Sequence, residues 1–149
     1  MAEHKSIELT QLDAITSTAS LPAQTFYDAK LRRFSATLDL SATTVASGDT
    51  VVIARVPKAY RFAFGIINAS ATLGTSTIAV SSKPAHGGDA TSGKYRAAAV
   101  FTAAAPTLFG KTTSGAEKTD DEIVYLEAGT ADLPTSGTLS VDLFYSAAL

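Results

Sequence analysis

From about Leu31 to Ser146 the chain is cut into short segments whose apolar residues recur at every second position, and each segment is closed by Gly, Pro, Asp or Asn. A period of two belongs to a strand with one buried face, whereas a helix needs a period near 3.6, so this stretch must fold as sheets joined by turns. Phe34, Ala36, Leu38 and Leu40 alternate with Arg33, Ser35, Thr37 and Asp39 in the first such segment. Thr138 to Tyr145 is the clearest: Leu139, Val141, Leu143 and Tyr145 share one face, and Phe144 is the one aromatic out of step.

The remaining segments follow from the same reading. Thr50 to Val56 is apolar on both faces until Pro57 and is expected as a central strand of a two-layer protein. Tyr60, Phe62, Phe64 and Ile66 are expected to share one face of the next strand, and Thr77 to Ser81 forms another. Lys83 to Gly93, with three glycines and a proline, is a long loop. Tyr95 to Thr102 and Thr107 to Lys111 read as two strands broken at Pro106, although the alanines of the first also suit a helix. Thr112 to Asp121 is a polar turn, and Glu122 to Glu127 a strand. About eight strands with turns every 8–12 residues predict an all-β, antiparallel two-sheet β-sandwich, jelly-roll-like, with its strand order left open.

Residues 1–30 obey a different grammar. Ile7 and Leu9 fit a strand while Leu12 and Ile15 fit a helix, so neither period is sustained, and Thr16 to Ala23 is small, polar and broken by Pro22. The chain therefore divides into an extended N-terminal arm, 1–30, and a sandwich domain, 31–149; a frayed terminus is the alternative for the arm. Ile7, Leu9, Leu12, Ile15, Phe26 and Tyr27 are its candidate assembly contacts, with Phe26 and Tyr27 also able to plug the end of their own sandwich.

Composition restricts the chemistry. The 149 residues include no cysteine, no tryptophan and two histidines, which removes disulfides, thiolate metal sites and cysteine nucleophiles. His4 and His86 form no ligand pair, and no G-x-S-x-G elbow accompanies His86. Asp120, Asp121 and Glu122 are consecutive, so in a strand they point to alternate faces and cannot surround one calcium ion; a solvated strand-entry turn is expected there. Phe109-Gly110-Lys111-Thr112 lacks the first glycine of a P-loop, Ala105 standing in its place. No catalytic residue, cofactor or metal is assigned. Charged residues make up 17% of the chain against the ~25% of an average domain, and the net charge of −2 offers no basic footprint for nucleic acid. With no signal-peptide core and no long apolar run, the chain is expected to be made in the cytoplasm, to stay soluble and to avoid membranes.

Gly48-Asp49-Thr50-Val51-Val52-Ile53-Ala54-Arg55-Val56-Pro57-Lys58, followed by the strand Tyr60 to Ile66, the Ala/Ser-rich turn and strand Asn68 to Val80, the Gly88-Asp89 loop with Tyr95-Arg96-Ala97-Ala98-Ala99, and the terminal strand Gly137 to Tyr145, resembles the small β-rich virion proteins of tailed bacteriophages. The resemblance covers about 100 residues and is a pattern of strands and turns. It implies a capsid decoration, or cement, protein: a non-enzymatic structural protein of the virion that docks on the capsid surface, on the lattice of the major capsid protein, commonly as a trimer. Another virion part, such as a head fibre base, a head–tail joining or a tail component, shares the pattern. A carbohydrate-binding sandwich using Tyr60, Phe62 and Phe64 as a stacking face is the reading from a different class.

Overall fold

Alternating segments become strands where both faces can be satisfied, and among the described residues every regular element is one. A computed structural model describes residues 30–102, 104–110 and 119–147. None of these residues is helical; they form β1 (Lys30–Asp39), β2 (Thr50–Val56), β3 (Arg61–Ala69), β4 (Thr77–Pro84), β5 (Thr91–Val100), β6 (Thr107–Phe109), β7 (Glu122–Gly129) and β8 (Thr138–Ala147). The alanine-rich segment that also suited a helix is strand β5, because its partner β4 supplies the ladder.

The strands lie in two four-stranded antiparallel sheets. Sheet A has the order β1-β8-β3-β6 and sheet B the order β2-β7-β4-β5. The pairs β1·β8, β2·β7, β3·β6 and β4·β5 are nested, as in one long antiparallel ribbon folded at the β4–β5 turn, and they fall alternately in sheets A and B. Rolling that ribbon until β3 meets β8 and β4 meets β7 closes the jelly roll. One end of the sandwich is capped by aliphatic side chains near the strand junctions, Leu40, Val45, Leu73 and Leu133, all at most 5% exposed. Backbone bonds tie these segments together, Leu133 N–H to the Val45 carbonyl at 2.9 Å and Leu73 N–H to that of Phe101 at 3.1 Å. At the end of β1, the Asp39 carboxylate accepts from the Ser41 N–H (2.9 Å) and hydroxyl (2.6 Å), bonds that hold it below the ordinary carboxylate range.

Three sequence expectations are corrected by register. β2 is an edge strand, not a central one: β7 is its one neighbour in the sheet, and Val52 is 58% exposed. The strand buried on both faces is β4, where Ile78 and Val80 enter the core while Ser81 and Ser82 are also buried. Ser81 is tolerated there because its hydroxyl donates to Glu127 (2.6 Å) and accepts the Gly93 N–H (2.9 Å). In β3, Phe62 lies opposite Tyr145 and Phe64 opposite Phe144, so Ala63 is an extra residue, a β-bulge. The bulge switches faces: Tyr60 and Phe62 point inward with Ile67 and Ala69, while Phe64 and Ile66 turn outward. Finally, the loop joining β4 to β5 is shorter than expected, because both strands extend into it and leave 85–90 as the connection.

Gly65 is the one inward position of β3 without a side chain. Phe109, its partner on β6, lays its ring across the gap, and a Cβ on Gly65 would fall well inside van der Waals contact with that ring. Gly65→Ala should therefore cost about 1–3 kcal/mol through overpacking. Chemical denaturation measures this, and Gly65→Ala combined with Phe109→Leu should recover part of the loss.

Candidate interaction surface

Acid–base side chains gather at the end of the core opposite the aliphatic cap, and they face inward. Tyr145 on β8 is fully buried among four rings: Phe62 (5.4 Å between centroids), Phe34 (5.6 Å), Tyr95 (6.2 Å) and Tyr60 (6.5 Å). Sheet B contributes Tyr95 and a carboxylate to this layer. Glu122, 5% exposed, accepts a hydrogen bond from the Tyr95 hydroxyl (2.6 Å) and pairs with the Lys94 ammonium (2.5 Å). Tyr95 in turn meets Tyr145 of sheet A edge-on, with the rings at 83° to one another. Lys94 and Tyr95 are consecutive and would ordinarily point to opposite faces, but β5 spends the six residues from Thr91 to Arg96 on the three from Ser82 to Val80. That irregularity, with Gly93 at φ +63°, lets both reach one carboxylate.

This network bridges the sheets and belongs to the core. Glu122 is thus no part of a solvated turn, as its place after Asp120 and Asp121 suggested; Asp121 instead accepts the Lys58 N–H (2.9 Å) and lies 3.7 Å from the exposed His86. Among the described residues, no three His, Cys, Asp or Glu side chains gather as a metal would require. Burial pushes the Tyr95 and Tyr145 phenols far above the ordinary tyrosine range. A phenol that stays protonated when folded but ionises when unfolded contributes stability that is complete below the unfolded pKa, about 10, and is lost as pH rises beyond it. Alkaline titration should accordingly show the phenolate absorbance of these two tyrosines appearing together with unfolding. Reversible ionisation of both in the folded protein would contradict the network.

The surface that can meet a partner lies elsewhere. The bulge at Ala63 places Phe64 on the outer face of sheet A, stacked on Phe144 of β8 at 4.5 Å and 18°. Register puts Ile66 next to it on β3 and Leu108 of β6 opposite Ile66, and Leu108 is 68% exposed. Leu31, 54% exposed, occupies the outer row with Ser146 and Arg61. Arg33 crosses the same face and donates through Nε (3.0 Å) and Nη2 (2.8 Å) to the two carboxylate oxygens of Asp142. One outer face therefore combines an aromatic stack, two aliphatic side chains beside it and two arginines. Phe144 was legible as the residue out of step; Phe64 was not, since its orientation depends on an extra residue that the alternation conceals.

Ile7, Leu9, Leu12, Ile15, Phe26 and Tyr27 lie outside the described residues, as do Lys111 and Thr112. Of the suggested sugar-stacking row, Tyr60 and Phe62 are committed to the core layer and only Phe64 reaches the outer face.

No protein-family model matches the sequence, and no curated protein matches it either. Solved structures do match in fold. A chain from the capsid of Ralstonia phage GP4 superposes with a TM-score of 0.58 at 21% identity, over 93% of this chain and 94% of that one. A chain of the cyanophage Pam1 capsid asymmetric unit gives 0.58 at 13% identity, over 90% and 97%. A chain of the acid-stable capsid of Helicobacter pylori bacteriophage KHP30 gives 0.54 at 13%, over 78% and 86%.

Proposed function

We propose that this chain is a non-enzymatic structural protein of a phage virion, a head decoration protein that docks on the lattice of the major capsid protein and reinforces it. The observation that carries this reading is the likeness of fold over nearly the whole length of both chains to components of phage capsids. The distribution of chemistry supports it: among the described residues the buried carboxylate Glu122 is spent on tying β7 to β5, and the outer face of sheet A carries an aromatic stack and aliphatic side chains. Such a surface loses little hydration on association, and repetition over a lattice turns modest contacts into avidity. The protein acts at the outer capsid surface after synthesis in the host cytoplasm, as a homo-oligomer for which a trimer fits best. Residues 1–30 form an arm whose Ile7, Leu9, Leu12, Ile15, Phe26 and Tyr27 make the assembly contacts.

Electron microscopy of capsids lacking this protein, before and after incubation with it, tests the reading. Ordered added density on the outer lattice is expected, and capsids that stay bare would overturn the decoration role. Removing residues 1–30 should leave the far-ultraviolet circular dichroism of a β protein intact and abolish docking. A shortened chain that decorates capsids normally would refute the role of the arm.

A further inference from the structure

We infer that the outer face of sheet A is the seat of the segment Ser6–Ile15 supplied by a neighbouring copy of this chain. The inference rests on the reading of the chain as an arm-bearing homo-oligomer and adds the place where the arm binds. Its first support is the chemistry of the two surfaces. The face presents Phe64 stacked on Phe144, with Ile66 and the exposed Leu108 alongside, and Ser6–Ile15 carries Ile7, Leu9, Leu12 and Ile15. Contiguous outward apolar side chains on a β-sheet mark a contact site.

Charge is complementary. Residues 1–29 hold four carboxylates, Glu3, Glu8, Asp13 and Asp28, against the single Lys5. Around the aromatic stack the face holds Arg33, paired with Asp142, and Arg61, its other carboxylate Asp39 lying at the far end of β1, and the exposed Lys30 and Arg32 flank it at the start of β1. An acidic, apolar segment is therefore attracted to this face and steered along it.

Reach admits a neighbour's face as well as the chain's own. The arm joins β1 at Lys30, on the edge of sheet A, and its own aromatic stack starts one strand away, at about 5 Å per strand. Residues 16–29 extend to about 46 Å at ~3.3 Å each. That far exceeds the intramolecular need and spans the width of a body of roughly 120 residues, about 35 Å. Passing each arm to the next copy is a head-to-tail contact, which closes into a ring under the cyclic symmetry of a trimer.

Disulfide trapping in the full-length protein tests this, since the chain has no cysteine of its own. Leu9→Cys is combined with Leu108→Cys, and separately with Val52→Cys, a similarly exposed position on sheet B. Mild oxidation of the first pair should join chains covalently, at least tenfold more than the second, in products no larger than the native oligomer. An internal disulfide within one chain, no bond above the sheet B pair, or equal bonding of both pairs would each overturn the inference; circular dichroism of the Leu108→Cys chain checks that the sandwich is retained. Capsid binding by the same protein separates the two claims. Decoration without arm trapping removes this seat and leaves the virion reading, whereas trapped rings that no capsid accepts keep the seat and remove that reading.

Discussion

Replacing Tyr145 by alanine is expected to cost about 3–5 kcal/mol, the range for emptying a large aromatic site in a core that collapses only partly. Four rings surround that side chain, from β1, β3, β5 and the residue before β3, so its removal leaves a void that no single neighbour can fill. A domain of this size has about 5–15 kcal/mol in total, so the variant sits near the edge of folding. Equilibrium denaturation provides the number. Tyr145→Phe keeps the ring and removes only the hydroxyl, for about 1 kcal/mol. If both substitutions cost the same, packing around the ring is not what holds this end of the sandwich together.

Glu122→Ala should be nearly as damaging, at about 3 kcal/mol. Deleting one member of a buried charged pair costs about 3–5 kcal/mol because the other is left without compensation, and the lower end applies here because Lys94 keeps 39% of its side chain in solvent and can turn outward. The Tyr95 hydroxyl has no such escape. Glu122→Gln retains an acceptor for it and should lose about half as much. A double-mutant cycle with Tyr95→Phe is the decisive measurement: the two residues share a hydrogen bond, so the double variant should fall short of the sum of the single losses by about 1 kcal/mol or more. Strict additivity would mean that the bond contributes nothing and that Glu122 acts through Lys94 alone.

These two residues also mark the boundary of what the sequence makes legible. Tyr145 stands in an unbroken alternation with Leu139, Val141 and Leu143, and that pattern gives its burial directly, because only one face of an antiparallel strand meets the opposite sheet. Glu122 follows two exposed aspartates and reads as their continuation; its burial arises because Tyr95 and Lys94, 27 and 28 residues away in the chain, converge on it. Local pattern carries no information about a partner at that separation. β2 fails for a related reason: an apolar run reports that side chains avoid water, and Val52 still ends on an edge, while the serines of β4 sit in the middle because Glu127 and Gly93 satisfy Ser81.

The amino-acid pattern fixes the strands, most of their inward rows and the class of fold, since a period of two can be buried in only one way. The order in which the strands pair, the bulge that sends Phe64 to the outside, and the meeting of Glu122, Lys94, Tyr95 and Tyr145 come from the rolled ribbon itself. Each depends on register between segments distant in the chain, and register is settled when two sheets compete to bury the same core, not by any one strand alone.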